Sequence, residues 1–412
     1  MDTNNLNMEN HHSTTVLHAN GTTEKNIYNE VDPSTSCKGG PLVSSWLPTV
    51  HNTLSSLLRW TGSYPVHIQD SHLTFVREAV VPRLKQPPAA ADRLQYILTH
   101  NHSPYEVSIA FASRKTAKVR FTVQPLVDLD PVGDDPLGQK GLREKLEDLA
   151  SACGADRTWL DAFVDSVFLT AEEEAGLVEK EMNVGGSVSS LPRQICYAGF
   201  DLESDADENG KAAIGMKAYL FPQLQALATG RELVDITESV VTRLAEGDSG
   251  MLAAWGLLKT FLDSHSEDNI NIYFLAIDCL APHMAPRFKV YTHTHANSLA
   301  SARHVLTLGG RLSPSSANFL PQVWPLLMDM EDVPQAIMDG LEKPLSEPDS
   351  KYCGLCFAFE MVPGKAVPQV KMYVPMWQYA RDDSAVVERY GRILQMQGMG
   401  DCDFGAAVQD AL

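Results

Sequence analysis

Three segments of the sequence carry a lysine and a tyrosine two residues apart. The pairs are Lys217 with Tyr219, Lys289 with Tyr291, and Lys371 with Tyr373. Side chains two positions apart in a β-strand lie on the same face, so each pair would place an ammonium group beside a phenol ring. Two arginines extend the pattern, since Arg287 stands two residues before Lys289 and Arg120 lies in the related segment VRF. The cations would therefore converge on one face.

Converging cations beside tyrosines indicate an anion site next to an aromatic surface. The cations would repel one another, and a diphosphate could offset that repulsion because several of its oxygens accept charge-assisted hydrogen bonds. The tyrosine rings could stabilise a carbocation and keep water away from it. A single Lys-x-Tyr is more typical of a solvated strand face, but three copies together with Arg120 favour convergence. Diphosphate and carbocation together predict prenyl transfer.

These residues lie in four segments that each predict a β-hairpin. Every segment has two runs rich in Val, Ile, Tyr and Phe, joined by a turn. The hairpins span residues 105–111 with 117–126, 194–203 with 212–222, 270–279 with 286–295, and 354–363 with 368–376. The residues between the cations and the tyrosines are apolar, namely Ala218, Phe288, Val290 and Met372. They would face a helix layer, so the polar face of the sheet would be its inner one.

Helical patterns separate the hairpins, two in each gap. The first gap contains LREKLEDLASACG and TWLDAFVDSVF, the second LVDITESVVTRLA and MLAAWGLLKTFLDSHS, and the third SLASARHVLTL and SANFLPQVWPLLM. The sequence thus predicts an α+β protein of repeated ααββ units that form an antiparallel β-barrel ringed by helices, which would hide edge strands. We interpret residues 43–412 as a single domain and residues 1–42, which lack apolar periodicity, as a disordered tail.

Composition limits the classes of partner. The 412 residues include 33 Lys and Arg against 52 Asp and Glu, a formal net charge of −19. This balance argues against nucleic acid or an anionic membrane as the partner. No stretch approaches the roughly 18 uninterrupted apolar residues of a membrane span, and the first residues lack the pattern of a signal peptide, so we expect a cytoplasmic protein. The sequence leaves a homo-oligomer open.

We expect neither a metal ion nor a cofactor. The Asp-Asp pairs at 134–135 and 382–383 have no third aspartate three positions beyond the pair, unlike the DDxxD boxes that hold magnesium in terpenoid enzymes. Cys353 and Cys356 form one CxxC, but no second pair stands at zinc spacing. Side-chain cations alone would then neutralise a bound diphosphate.

The Lys-x-Tyr strands form part of a wider pattern. Together with the segments VRFTVQP, SPYEVS and GSYPVHIQDSHLTFVREAVVPRL, they resemble the fungal dimethylallyltryptophan synthase family of aromatic prenyltransferases. The resemblance implies the ABBA fold, in which ααββ units close a ten-stranded antiparallel barrel whose solvent-filled interior holds both substrates. It also implies transfer of a dimethylallyl or longer prenyl group from its diphosphate to an indole-type acceptor in natural-product biosynthesis.

The resemblance also implies a role for each candidate residue. The diphosphate would be bound by Arg120, Lys217, Arg287, Lys289 and Lys371, and the allylic cation would be shielded by Tyr219, Tyr291 and Tyr373. Glu106, in PYEVS, matches the glutamate that accepts a hydrogen bond from the indole N–H of the acceptor. We place Glu106 opposite Arg120 across the first predicted hairpin, which favours an interior position.

The sequence departs from the family pattern in two places. Members that prenylate C4 of tryptophan have a lysine, proposed as the base, ahead of an Asp-Leu in the second hairpin; alignment on Asp201 and Leu202 puts Tyr197 there, which argues against that reaction. After the fourth hairpin, one helical stretch is followed only by GMGDCDFGAAVQDAL, and no fifth hairpin is visible. We therefore expect an open ring and low or no transferase activity by this chain alone. The alternative interpretation is a catalytically silent member that acts as a binding protein.

Overall fold

One curled antiparallel sheet forms the centre of the computed structural model, which describes residues 15–18, 46–84, 96–113, 116–129, 133–188, 191–206, 210–265, 270–347, 354–399 and 404–411. Its strands within these ranges are β1 (Thr15–His18), β2 (Tyr105–Ser113), β3 (Thr116–Val123), β4 (Cys196–Ala206), β5 (Ala212–Leu220), β6 (Asn271–Asp278), β7 (Phe288–Thr294), β8 (Leu355–Met361) and β9 (Gln369–Tyr373). Each strand pairs with the next one along the chain. The four predicted hairpins are β2–β3, β4–β5, β6–β7 and β8–β9.

The helices pack around this sheet. They are α1 (Trp46–Trp60), α2 (Val66–Phe75), α3 (Gln139–Cys153), α4 (Thr158–Val167), α5 (Ala171–Asn183), α6 (Gln223–Thr229), α7 (Leu233–Ala245), α8 (Ser249–Ser264), α9 (Leu299–Leu306), α10 (Leu320–Met328), α11 (Gln335–Met338), α12 (Asp383–Met396) and α13 (Phe404–Ala411). The six helical patterns between the hairpins correspond to α3, α4, α7, α8, α9 and α10. The predicted α+β class and the ααββ repeat are therefore confirmed.

The gap before the second hairpin contains one helix that we did not predict. Helix α5 begins with a capping box, in which the Thr170 hydroxyl accepts a hydrogen bond from the Glu173 N–H and the Glu173 carboxylate accepts one from the Thr170 N–H. Along this helix only Leu177 is buried. A single buried side chain gives no helical periodicity, which is why the sequence pattern failed to indicate it.

The outer face of the sheet is apolar and packs on the helices, as the alternation predicted. Ala218, Phe288 and Val290 have no exposed surface, and Met372 at the edge is half-buried. They share one core with Val240 of α7 and other helix residues. Burying this face leaves the alternate residues, which carry the cations and tyrosines, on the concave side of the sheet.

Helix α8 fixes the position of the last hairpin. Its N-cap residue Asp248 accepts a hydrogen bond from the Met251 N–H at 2.7 Å, as an N-cap should. The same carboxylate accepts from the N–H of Gly364, in the turn between β8 and β9, at 2.9 and 3.0 Å. Gly250 lies so close to that turn that a Cβ atom there would come within 2.7 Å of the Gly364 carbonyl carbon. The turn and the helix are thus held in direct contact.

The sheet has two edges, and we call the space between β9 and the β1–β2 pair the seam. Among the described residues, β9 pairs only with β8, and β1 pairs only with β2. Helices α12 and α13 follow β9, and an apolar cluster connects them to the first hairpin and to α1. Its buried members are Ile109, Phe111, Met376, Tyr390, Leu394 and Phe404. Helix packing thus joins the two sides of the seam.

Strand β1 lies within residues 1–42, which the sequence analysis interprets as a disordered tail. Residues Thr15–His18 pair with β2 in antiparallel register, from Thr15 opposite Phe111 to His18 opposite Ser108. Four residues are too few to give an alternating pattern, so the pairing depends on the unpaired edge that β2 offers. The resemblance implied a closed ring of ten strands, whereas the described sheet has nine strands and two edges. The division into a tail and one domain of residues 43–412 stays a prediction.

Across the described ranges, no helix is both long enough and apolar enough to span a membrane.

Candidate functional site

The three lysines of the Lys-x-Tyr pairs occupy equivalent positions in β5, β7 and β9. Across its own hairpin, each lies opposite a small residue, with Lys217 facing Gly199, Lys289 facing Ala276 and Lys371 facing Ala358. Directly opposed residues in antiparallel strands have close Cβ atoms, so a small partner leaves room for a long side chain to lie over it. The repeated strands therefore bring the three lysines to one level of the sheet.

Three carboxylates that the sequence analysis did not assign to the site accompany the lysines. Asp201, Asp278 and Glu360 lie on β4, β6 and β8, the first strands of the second, third and fourth hairpins. The sequence does contain a signal for them. In every case the acid comes two residues after the small residue just described, in the triplets Gly-Phe-Asp at 199–201, Ala-Ile-Asp at 276–278 and Ala-Phe-Glu at 358–360.

Every carboxylate binds the lysine of its own hairpin and one arginine. Asp201 contacts Lys217 and lies 3.0 Å from the Nε atom of Arg120. The Asp278 oxygens lie 2.7 Å from Lys289 Nζ and 2.6 Å from Arg287 Nε. The Glu360 oxygens lie 2.6 Å from Lys371 Nζ and 3.1 Å from Arg287 Nη1. These ion pairs form two groups, one around Asp201 and one around Asp278 and Glu360, and Lys217 of the first group feels the charges of Asp278 and Lys289 of the second. All five predicted cations thus lie close together, and we call the five cations and three carboxylates the charged ring.

Four of the eight side chains of the charged ring are buried, and the other four are partly exposed. Lys289 and Glu360 are each 2% exposed, Asp278 is 5% exposed and Lys217 is 8% exposed. Five cations and three carboxylates leave an excess of two positive charges in the ring. A buried excess of positive charge favours an anion, because the low dielectric inside a protein strengthens its attraction to the ring.

The shifts in pKa follow from burial and from these ion pairs. Burial would raise the pKa of Asp201, but the charges of Lys217 and Arg120 outweigh it and lower that pKa to about 2. Burial would also raise the pKa values of Asp278 and Glu360. The charge of Lys289, together with the other cations near each acid, outweighs this effect and lowers both values. Burial lowers the pKa of Lys217 to about 8, against the attraction of Asp201. The three carboxylates are therefore ionised at neutral pH.

The tyrosines form a second layer of the concave face. The ring centroids of Tyr219 and Tyr291 lie 6.1 Å apart, and those of Tyr291 and Tyr373 lie 5.9 Å apart. Phe274 stacks on Tyr291 at 4.3 Å. The hydroxyl groups of Tyr291 and Tyr373 are hydrogen-bonded to each other. Burial raises the pKa of all three tyrosines above the usual value, so the phenols stay neutral.

The two layers are stacked along the axis of the curled sheet. In β5, β7 and β9 the lysine is two residues nearer the hairpin turn than the tyrosine. The charged ring therefore lies toward the turns, and the aromatic layer lies toward the ends where the strands connect to helices. Tyr373 on β9 also feels the charge of Arg120 on β3, six strands away in the sheet order, which reflects the curl of the sheet.

Comparison with known proteins agrees with the family resemblance found in the sequence. The family described as tryptophan dimethylallyltransferase matches residues 43–406 of the chain. The indole prenyltransferase tdiB of Emericella nidulans is 32% identical over 359 residues, which cover 84% of this chain and 81% of tdiB. The indole diterpene prenyltransferase terF of Tolypocladium album is 28% identical, covering 89% of this chain and 84% of terF.

The chain belongs to the tryptophan dimethylallyltransferase family. It is a prenyltransferase, which agrees with the resemblance found in the sequence. Solved structures of the NotF prenyltransferase and of AnaPT from Neosartorya fischeri share its fold, with TM-scores of 0.69 and 0.66 at 21% and 24% identity. Each match covers 87% of this chain, and the chain spans 84% of NotF and 81% of AnaPT.

Glu106 lies on the first strand of the first hairpin, but its position differs from the predicted one. Its register partner on β3 is Thr122, whereas Arg120 lies opposite Ser108. Glu106 and Arg120 are therefore diagonal neighbours on the same concave face. Phe111 lies opposite Ala117, and counting back from that pair puts Glu106 opposite Thr122, so the predicted pairing with Arg120 was two residues out of register. Glu106 is half-buried, and the register places it in one row with Thr122, Gly199 and Lys217.

Tyr197, which replaces the family lysine in this alignment, belongs to the aromatic layer. Its ring lies 6.4 Å from that of Tyr219 and 6.2 Å from that of Phe274. Its hydroxyl donates a hydrogen bond of 3.2 Å to the carbonyl oxygen of Ile97. This buried phenol has no basic nitrogen to offer an acceptor ring.

The acidic pairs that we considered as metal ligands have other partners. Asp134 forms an ion pair with Lys140 at 2.6 Å, and the carboxylate of Asp135 accepts hydrogen bonds from backbone N–H groups at the start of α3. Asp382 is the N-cap of α12, and Asp383 is the first residue of that helix. Within the ranges described, no group of three or more His, Cys, Asp or Glu residues could hold a metal ion. Cys353 of the CxxC lies outside those ranges.

Proposed function

We propose that this prenyltransferase moves a dimethylallyl or longer prenyl group from its diphosphate to an indole-type acceptor in secondary metabolism. The observation that carries the proposal is the charged ring, with its excess of positive charge, lying directly beside a layer of stacked aromatic rings. The first layer suits a diphosphate and the second suits an allylic cation. We also propose a cytoplasmic location.

The charged ring would promote ionisation of the prenyl donor. When the bond between the allylic carbon and the diphosphate oxygen breaks, its electron pair leaves with the diphosphate. Arg120, Lys217, Arg287, Lys289 and Lys371 stabilise the negative charge that develops there. Because these cations already lie within a buried network, little reorganisation is needed at that moment, and no metal ion is required for the neutralisation.

The aromatic layer would protect the cation that remains. Tyr219, Tyr291 and Tyr373 offer their π faces to the allylic carbon and exclude water that would otherwise trap it as prenyl alcohol. The phenols are neutral, so they stabilise the cation through the ring faces and do not attack it as phenolates. The electron-rich acceptor ring then forms a bond to the allylic carbon, and loss of a proton restores its aromaticity.

Glu106 would orient the acceptor. It lies on the concave face near the start of β2, where we propose that its carboxylate accepts a hydrogen bond from an indole N–H. The name of tdiB describes an indole prenyltransferase, and one solved NotF structure contains brevianamide F and DMSPP. These relatives support an indole-type acceptor. Tyr197 in place of a lysine argues for an acceptor other than free tryptophan prenylated at C4.

The direct test is product formation from labelled dimethylallyl diphosphate with a panel of indoles. We expect a prenylated indole, in place of the low activity that the missing fifth hairpin led us to expect, because the relatives are prenyltransferases. Excess chelator should leave the rate largely unchanged because the side-chain cations neutralise the diphosphate. Loss of all product on chelation, with recovery on addition of magnesium, would contradict the assignment of the charged ring. Release of neither prenylated acceptor nor prenyl alcohol would favour the catalytically silent alternative, which no other observation supports.

A further inference from the structure

We infer that Asp201, Asp278 and Glu360 are positioning residues of the reaction, which hold the cations of the charged ring in the charge state and geometry that a diphosphate needs. This inference rests on the proposed function, because it assumes that the ring binds the diphosphate. The inference goes beyond the proposed function because it assigns a role to the three acids. Their own negative charge makes direct contact with an anion unfavourable.

The first argument is geometric. A lysine side chain is flexible, and it loses much entropy when it is ordered by a ligand. Here each lysine is already held by a carboxylate of its own hairpin, and each carboxylate also contacts an arginine from a neighbouring element of the network. The acids thus fix the donors before the ligand arrives, which is the preorganisation that favours a charged transition state.

The second argument concerns charge. Acids in an anion site weaken its attraction for the anion, so a site selected for binding strength alone would omit them. Three are nevertheless present, and two of them are at most 5% exposed. Without them, five cations would be crowded in a buried space, where repulsion and burial both favour loss of a proton from a lysine. The acids keep the lysines charged.

Lys217 is the lysine for which this effect is largest. It is surrounded by Arg120 on β3, Asp201 on β4, Asp278 on β6 and Lys289 on β7, and burial lowers its pKa to about 8. Asp201 is the main group that opposes this fall. If Asp201 were neutral, Lys217 would face two cations with only Asp278 to balance them, and it would lose its proton near neutral pH.

The test is the affinity for inorganic diphosphate, measured by calorimetry between about pH 6 and pH 8.5, in the wild type and in Asp201→Asn. Comparing the two proteins at each pH cancels the titration of the ligand itself. We expect the variant to bind as tightly as the wild type or more tightly at the lower pH, where Lys217 keeps its proton. At the higher pH it should bind on the order of tenfold more weakly. The affinity of the variant relative to the wild type should therefore fall as the pH rises.

Two other results would overturn the inference. A variant that binds more weakly by the same factor at every pH would show that Asp201 has only a structural role. A variant that binds diphosphate more tightly at every pH would show that the only effect of Asp201 is to reduce the positive charge of the ring. Asp201→Glu, which keeps the negative charge, should restore the wild-type curve and separates the charge from damage to the fold.

Glu203→Gln is the matched control. Glu203 lies two residues further along the same face of β4, but it pairs with Lys118 outside the charged ring. Its curve should run parallel to that of the wild type. Lys217→Ala distinguishes the two proposals: if it leaves diphosphate affinity unchanged, or if the wild type binds no diphosphate, the assignment of the ring itself fails and this inference fails with it. If Lys217→Ala weakens binding while the curves of Asp201→Asn and the wild type stay parallel, only the inference about the acids is overturned.

Discussion

The second to fourth hairpins and the seam are held together in different ways. In the hairpins, the ion pairs join strands that are neighbours in the sheet, and the contacts between tyrosine rings join strands that are two apart in it, so sheet register places the partners. At the seam, contact depends on segments far apart in the chain, such as His100 before β2 and Trp377 after β9, whose rings lie 4.2 Å apart. The site is therefore encoded locally and repeatedly, whereas the seam depends on long-range packing of helices and loops.

The comparison predicts that replacing a cation of the ring lowers kcat/KM more when the cation is far from the seam than when it is close to it. Lys289, in the third hairpin, is 2% exposed. It lies on β7, which pairs with β6 on one side and with β8 on the other. Replacing it with methionine removes a charge-assisted contact worth roughly 1.5–3 kcal/mol, so kcat/KM should fall by about 10- to 150-fold. Lys371, whose strand forms the sheet edge, should show a smaller loss in steady-state kinetics when replaced in the same way.

The control for these variants is Lys365→Met, since Lys365 is exposed in the turn between β8 and β9, outside the charged ring. It should retain wild-type kinetics. Equal losses in Lys289→Met and Lys371→Met would contradict the proposed difference between the hairpins and the seam, and wild-type kinetics in both would contradict the role of the ring.

The second prediction concerns the product ratio. Tyr291 is 7% exposed and stacks on Phe274, so Tyr291→Ala opens a cavity in the middle of the aromatic layer. Water should then reach the allylic cation, and the share of prenyl alcohol among the products should rise while the rate falls by roughly tenfold. Tyr291→Phe is the matched control, because it keeps the ring face and removes only the hydroxyl. An unchanged alcohol share in Tyr291→Ala, measured by chromatography of labelled products, would contradict a shielding role.

The residues found from the sequence and those missed differ for a physical reason. The strand period is two, so Lys-x-Tyr fixed the shared face of each pair, and three copies indicated that the faces converge. Asp201, Asp278 and Glu360 also lie on the concave face. They belong to β4, β6 and β8, however, which are the partners of the strands that carry the lysines. Their pairing with the lysines is diagonal and becomes evident only when the register is known. Glu106 was placed two residues out of register, because the pairing across the first hairpin was likewise not known from the sequence.

The seam could not be predicted in this way. No fifth hairpin is visible in the sequence, so we expected an open ring. Neither the pairing of β1 nor the packing of α12 and α13 follows from a repeated sequence pattern. Cluster residues such as Ile109, Tyr390 and Phe404 come from separate elements and have no common spacing. Contacts of this kind depend on the whole fold, and only the coordinates identify them.

The third prediction uses the carboxylates of the ring to test acid stability. The pKa of Asp201 is lowered to about 2 in the folded protein, below its ordinary value near 3.9, so the unfolded chain binds the proton more readily. The stabilisation is present above about pH 4 and is lost as the pH falls toward 2, and it amounts to about 2 kcal/mol. Asp201→Asn should therefore flatten the fall in the free energy of unfolding over this range, measured by urea denaturation at successive pH values. A slope in Asp201→Asn equal to that of the wild type would argue against a strongly paired acid.

The smallest expected effect is at the seam, where a ring contact takes the place of strand pairing. His100 stacks on Trp377, and its Nε2 atom lies 3.7 Å from a carboxylate oxygen of Glu347, with both partners partly exposed. A double-mutant cycle of His100→Ala and Trp377→Ala, followed by chemical unfolding, should give a coupling of about 0.5–1.5 kcal/mol, because partly exposed ring pairs contribute little beyond their buried area. If the seam is the weak part of the barrel, both single variants should also release more prenyl alcohol, since loosening it admits water beside Tyr373. Additive effects on stability, with a wild-type alcohol share, would mean that the rings touch without holding the seam, and that α12 and α13 do so instead.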